Sequence, residues 1–410
     1  MKSFFISCIT ALLAMNLAAE DFYQNPGELQ NFWHSSRNFY RRDAAKEAEL
    51  QGNNPAWKFE KIWPAEGVQK IYVSTTDDKG NIYFLTSDNF DYQIYLVSGN
   101  SSPKLRWSLP KSRDSSASEM GLFMTIKVDR DTLLATEGRH VWISRPGKKL
   151  LYSLSHFPFI IKDVWLQGDR LMLLGKKQLM SCNRLGKDRK THFAANQMEK
   201  ILPLFQNNPR AEFFAGGMGN TPDDVILFYR DGMTSAFGKY SLSRNVFAEI
   251  TTFPGINEES HIFHITWNRE SFLCSWAAKP DCIINIQFVY SLKDNKLTVL
   301  GSRNNYNYFE DLWKDMPSDL GITWNPKHNI AGPLAYNGKY LLYSGGNGNG
   351  HGKWQRENFA GCAGIVDLTK YPEGVSLKYP AVNGLYFHKD GKTLWAVEYY
   401  QVTKITPKNQ

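Results

Sequence analysis

Apolar and polar positions alternate in short runs from residue 56 to residue 405, punctuated by Gly, Asp, Asn and Pro. A period of two is the mark of half-buried β-strands. The clearest unit is 381–405, where a β-rich run at 382–387, a Lys389-Asp390-Gly391 turn, and runs at 393–397 and 400–405 follow one another. An Asp-Gly pair between β-branched and aromatic runs is a strong hairpin signal. Looser copies recur upstream and group in fours. The first group takes 68–75, 81–86, 91–97 and 104–109; the second 122–128, 132–136, 140–144 and 149–154; the third 159–166, 170–174, 178–183 and 189–193. The fourth takes 212–215, 224–229, 234–241 and 246–251; the fifth 261–267, 271–276, 282–290 and 296–301; the sixth 332–336, 339–344, 361–367 and 375–379. The last unit holds three strands only. The isolated strand at 57–63 is expected to pair with 400–405, joining the two chain ends and covering an edge that would otherwise be exposed.

Four-stranded units of about 40 to 50 residues, with turns such as Asp78-Lys79-Gly80-Asn81 after the first strand, resemble the blades of a β-propeller. The resemblance spans 57–405 and is one of architecture. The chain has no Trp-Asp signature, no sialidase-type Asp-box and no repeated Tyr-Trp-Thr-Asp motif, so no family's catalytic residues come with it. The expected fold is all-β, a seven-bladed β-propeller over 56–410. Six or eight blades are the alternatives, because the fourth group is weak and the sixth long, and a pair of β-sandwiches is the other arrangement that the strands allow.

The first residues change the picture of where the protein works. Lys2, the apolar run 4–15 and the small residues Ala18-Ala19 have the order of an export signal, with cleavage expected after Ala19. Glu20 rather than Cys follows the cut, which speaks against a lipid anchor. No later apolar run is long enough to cross a bilayer, so the expected location is secreted or periplasmic with no transmembrane segment. Within 20–55, Asn25 as N-cap, Pro26 and Glu28 precede Leu29, Phe32, Trp33, Phe39 and Tyr40 at helical spacing, which predicts an N-terminal helical extension.

Apolar residues make up 42% and aromatics 14% of the chain, enough for a large core and against global disorder. Lys and Arg number 48 against 40 Asp and Glu; cleavage removes Lys2, leaving 47 against 40 and a modest +7. Basic turns at Lys148-Lys149, Lys176-Lys177 and 184–190 read first as solvated turns that protect edge strands, with an anionic partner such as an acidic polysaccharide as the alternative. Export and the lack of a basic-aromatic recognition motif disfavour nucleic acid. Cys8 leaves with the signal, and Cys182, Cys274, Cys282 and Cys362 remain. Cys274 and Cys282 flank 277–281 almost symmetrically, so a disulfide across that hairpin is expected, with two buried free thiols as the alternative.

Propellers bind at the mouth of the central channel, on the face formed by the joins between blades and the connections between second and third strands. Four long insertions belong to that face: 110–121, 194–210, 304–329 and 345–360. In the third, Phe309, Leu312, Trp313 and Met316 fall at helical spacing before Pro317, as a cap over the channel would, and Trp324 stands outside the pattern as a contact residue. The fourth is glycine-rich and carries His351, Trp354 and Arg356, a titratable ring, a stacking surface and an anion-binding fork. It lacks the Gly-Lys-Ser/Thr ending of a phosphate loop. Neither metal nor cofactor is expected: His261 and His264, three apart on one strand, point to opposite faces. Glu119, His140, His156, Arg230, Glu258, Glu259 and His328 also fall near the loaded face, without an assignable acid/base set or a Gly-x-Ser-x-Gly elbow. The ligand-binding expectation therefore rests on Trp324, His351, Trp354 and Arg356, for an extracellular glycan or protein. The alternative is an enzyme acting on acidic polysaccharide, by lyase or hydrolase chemistry at the same mouth.

Overall fold

The computed structural model describes residues 57–63, 71–77, 79–87, 91–99, 101–110, 124–129, 131–145, 148–149, 151–154, 157–202, 205, 208–230, 235–251, 260–267, 271–278, 284–304, 333–336, 340–344, 362–367, 375–380, 384–398 and 401–408. The signal and the helical extension expected at 20–55 lie outside them. After β1 (Trp57–Trp63), the strands fall into antiparallel sheets of four, each in chain order. The first holds β2 (Ile71–Thr76), β3 (Ile82–Ser87), β4 (Asp91–Val97) and β5 (Lys104–Pro110). The second holds β6 (Met124–Asp129), β7 (Thr132–Glu137), β8 (His140–Ile143) and β9 (Tyr152–Ser153). The third holds β10 (Ile161–Gln167), β11 (Arg170–Gly175), β12 (Gln178–Asn183) and β13 (Lys190–Phe193). The fourth holds β14 (Glu212–Met218), β15 (Asp224–Arg230), β16 (Ser235–Ser241) and β17 (Val246–Thr251). The fifth holds β18 (Ser260–Trp267), β19 (Ser271–Ala278), β20 (Ile284–Ser291) and β21 (Lys296–Asn304). The sixth holds β22 (Pro333–Tyr336), β23 (Tyr340–Ser344), β24 (Cys362–Asp367) and β25 (Val375–Pro380).

In the remaining sheet β26 (Gly384–Phe387), β27 (Leu394–Val397) and β28 (Val402–Pro407) are completed by β1. The chain's first described strand pairs with its last, Phe59 opposite Ile405 and Glu60 opposite Lys404, as the three-stranded unit required. First strands neighbour one another around a ring: β2 lies beside β6, β6 beside β10, β10 beside β14, β18 beside β22, β22 beside β26 and β26 beside β2, with β16 and β18 joining the fourth sheet to the fifth. This is a β-propeller.

Its core is divided among the sheet-to-sheet interfaces rather than gathered in one place. Leu85, Ile94 and Trp107 of the first sheet pack with Ile126, Leu133 and Trp142 of the second. Trp165, Leu174 and Phe193 of the third meet Phe213, Leu227 and Tyr240 of the fourth. Leu385, Leu394 and Ile405 of the closing sheet meet Leu342 and Ile365 of the sixth, and Trp395 and Val402 meet Ile82 and Phe84 of the first. Alternating side chains thus bury both faces of a blade, and no blade has a core of its own.

The expected Cys274–Cys282 disulfide is corrected by strand register. Cys274 stands opposite Phe288 and the β19–β20 hairpin closes beyond Ala278 and Ile284, so its centre is shifted from the one that would set the two cysteines face to face. Cys274 is a buried free thiol packed with Phe272, Phe288 and Phe237, and burial pushes it well above its ordinary pKa. Cys182 is likewise free and buried, while Cys282 falls outside the described residues.

Candidate functional site

Strands in each sheet alternate direction, so all connections between blades and between second and third strands leave from one rim, and the other turns of each blade lie on the opposite rim. The long stretches 111–123, 305–332 and 345–361 all run between strand ends on the first rim. So does 194–211, where a 3-10 turn (Ala195–Gln197) and one helical turn, α1 (Met198–Ile201), are described. Met198, Ile201, Leu202 and Phe205 are buried against the third and fourth sheets, so this insertion serves as core. The longest connection on the second rim is 144–151.

The described part of the first rim is built on ion pairs and hydrogen bonds at strand ends. Glu212 begins β14 and stands in register with Arg230, which ends β15. Arg230 donates Nε to Glu212 Oε1 at 2.8 Å and Nη2 to the same oxygen, and the Lys176 ammonium lies 3.7 Å from Oε2. Glu212 is 4% exposed, so its charge is stable there only because both cations face it. Phe213 N–H donates to the Lys176 carbonyl at 2.8 Å, fixing the β11–β12 turn of one blade to the start of the next. Lys177 donates to the Asn208 carbonyl at 2.9 Å.

Two interfaces earlier, Tyr92 of β4 donates its hydroxyl to Glu137 Oε1 at 3.0 Å, joining the first two sheets at the same rim. Burial, reinforced by the Glu137 charge, raises the Tyr92 phenol above its ordinary range, so it stays a donor at every physiological pH. His140, at the start of β8, stacks on Trp142 at 5.5 Å between ring centroids. Below the rim, Asp163 of β10 ties three successive sheets together. Its Oδ1 accepts from Lys127 Nζ of β6 and from Val164 N–H, and its Oδ2 accepts from Gly216 N–H of β14 at 3.0 Å.

Of the polar residues read from sequence as rim candidates, His140 and Arg230 fall on the described rim. Trp324, His351, Trp354 and Arg356 lie outside the described residues, as do Glu119, His156, Glu258, Glu259 and His328. Glu212, Glu137, Tyr92, Asp163 and Lys127 were missed. Each sits inside an ordinary strand pattern, and the one available signal was a strand opening on Glu whose hairpin partner closes on Arg. Glu212 with Arg230 and Lys176, Tyr92 with Glu137, and Asp163 with Lys127 are thus paired across neighbouring strands and sheets. Among the described residues no cluster of His, Cys, Asp and Glu could hold a metal ion, and no helix is long and apolar enough to cross a membrane.

No family model and no curated protein sequence matches the chain. Among solved structures, a streptogramin B lyase is similar over 86% of this chain and 98% of its own length, at 10% identity and a TM-score of 0.50. The extracellular domain of a B. thetaiotaomicron protein described as a one component system is similar over 85% of this chain at 12% identity and a TM-score of 0.48, and this chain spans 40% of its length. An oligogalacturonate lyase in complex with manganese is similar over 88% of this chain and 95% of its own, at 10% identity and a TM-score of 0.49. The streptogramin B lyase likeness, at 10% identity, shows the fold alone.

Proposed function

We propose that the protein is an exported β-propeller that recognises an extracellular ligand, a glycan or another protein, on the rim that carries its long connections. The observation that supports this reading is the inequality of the two rims. Stretches 111–123, 305–332 and 345–361 all join strand ends on one side, whereas the other side is closed by turns as short as 168–169 and 242–245. Long connections in a compact domain are where ligands are met, because they vary without disturbing the blades. Export is read from the first nineteen residues, and it assigns the ligand to the outside of the cell.

The contact residues of this reading are Trp324, His351, Trp354 and Arg356. An indole beside a guanidinium suits a sugar ring that bears an acidic group: the ring stacks and the carboxylate takes a bidentate bond. The test is a glycan array probed with the parent and with a Trp354→Ala/Arg356→Ala variant. Loss of the parent's signals in the variant, with the melting temperature unchanged, is expected. Identical array profiles would remove this site, and release of unsaturated or reducing products from an acidic polysaccharide would replace recognition by catalysis.

A further inference from the structure

The rim opposite the long connections gathers two of the basic clusters that the sequence keeps apart. The turn from β8 to β9 carries Lys148 and Lys149, and the turn from β12 to β13 carries Arg184, Lys187 and Arg189. Tyr152 of β9 donates its hydroxyl to the Arg184 carbonyl, and the Arg145 guanidinium lies 3.5 Å over the Tyr152 ring. On the other flank the Lys148 carbonyl accepts from Trp107 Nε1 of β5 at 3.2 Å. These contacts link the outer strands of three successive sheets into one belt.

Four of its cations stand without a counter-charge. Lys148, Lys149, Lys187 and Lys190 are exposed, and among the described residues none has a carboxylate at ion-pair distance. The acidic groups beside the belt leave those four lysines alone: Asp169 lies 3.7 Å from Arg184, and Asp188 accepts from Asn183 Nδ2. A second, independent feature shares the belt. Four large hydrophobic side chains are exposed among the described residues, and two of them are here, Leu105 at 50% and Leu185 at 54%. Each sits between cations in the chain, in Lys104-Leu105-Arg106 and in Arg184-Leu185-Gly186-Lys187.

A soluble polyanion would use the cations and leave both leucines in water. The surface of an anionic bilayer uses both, since headgroups meet the cations and the acyl boundary takes the leucines. We propose that this belt docks the propeller on an anionic lipid surface, with the long-connection rim turned away from it. The lipid surface is a partner separate from the ligand proposed for the other rim, so either assignment stands without the other.

Vesicle flotation of the full chain tests it, with phosphatidylcholine vesicles that contain or lack about 30% phosphatidylglycerol. The expected result is an excess of binding to the anionic vesicles that falls as salt rises. A Lys148→Glu/Lys149→Glu/Lys187→Glu/Lys190→Glu variant should lose that excess by about tenfold or more. A Leu105→Ser/Leu185→Ser variant should lose the part that survives high salt. The N-terminal apolar run is common to all three proteins and cancels in the anionic-minus-neutral difference. Both variants should melt with the parent, because substitutions of exposed side chains shift stability little. No excess on anionic vesicles, or an excess that charge reversal leaves intact, overturns the proposal. So does capture of a soluble sulfated polysaccharide by the belt without vesicle binding, which would assign it to a polymer.

Discussion

Two adjacent glycines in β14 show how a blade is fitted between its neighbours. A Cβ on Gly216 would lie 2.7 Å from Trp165 of β10, and one on Gly217 would lie 2.4 Å from Trp267 of β18. One glycine thus admits an indole from the preceding blade and the other an indole from the following blade. Gly217→Ala must displace a ring packed against Phe228 and Phe272, at a cost of about 1–3 kcal/mol. A thermal melt should show that loss as a drop of several degrees, and an unchanged Tm would mean that the Trp267 ring is not held there. The same glycines weaken the strand signal, which is why the sequence pattern ends this strand at residue 215 while β14 continues to Met218. His192 gives the second residue-scale prediction. Its Nε2 lies 2.9 Å from Ser181 Oγ, and its pKa is lowered from 6.5 to about 4, by burial first and then by Lys190 and Arg170, with Asp223 opposing. The unfolded chain therefore binds a proton that the folded one refuses, and stability falls as pH drops from about 6.5 towards 4. Replacing His192 with Gln should flatten that segment of a Tm-against-pH curve; parallel curves for parent and variant would contradict the assignment.

Elements were the most legible scale. Strands β1, β4, β12 and β17 occupy the residues that alternation and turn chemistry assign them, and most others shift by a residue or two. Register was not legible. Shifts recur in the first hairpin of several blades, between Ile71 and Val73, Ile161 and Asp163, Phe213 and Ala215, and Pro333 and Ala335. A bulge adds one residue to one strand only, so alternation read along a single strand does not reveal it. The same blindness to register produced the expected Cys274–Cys282 bridge, since near-symmetry about 277–281 does not fix where a hairpin turns. Ring closure was legible because a three-stranded unit at one end and a lone strand at the other each lack what the other supplies. Glu60 and Lys404 face each other across that seam, so a Glu60→Cys/Lys404→Cys variant should close a disulfide in air. The bond constrains nearly the whole chain and should add about 2–4 kcal/mol, read as a higher denaturant midpoint. Two thiols that stay open to alkylation in the folded protein would contradict the seam.

At the scale of the whole molecule, blades with no core of their own hold one another in place, and the two rims are free to serve different partners. The turns of the second rim are locked by short-range bonds. Asp77 accepts from the N–H groups of Lys79 and Asn81, and Asp390 accepts from those of Lys392 and Thr393. Burial acts to raise the Asp390 carboxyl, but those bonds and the Thr393 hydroxyl outweigh it and hold the pKa down at about 2. Gly80, with φ +71°, packs so close to the backbone of His388 and Lys389 that the turns of the first and last blades meet without side chains between them. The first rim carries the long connections, and their position was legible from strand count alone, whereas the ion pairs beneath them were not. Hydrogen–deuterium exchange on the protein with and without a glycan taken from the array tests the central assignment most directly. The account predicts added protection in peptides covering 305–332 and 345–361 and none in the turns at 77–81, 168–169 and 219–223. Protection confined to those turns, with 305–332 and 345–361 exchanging as in the free protein, would contradict it.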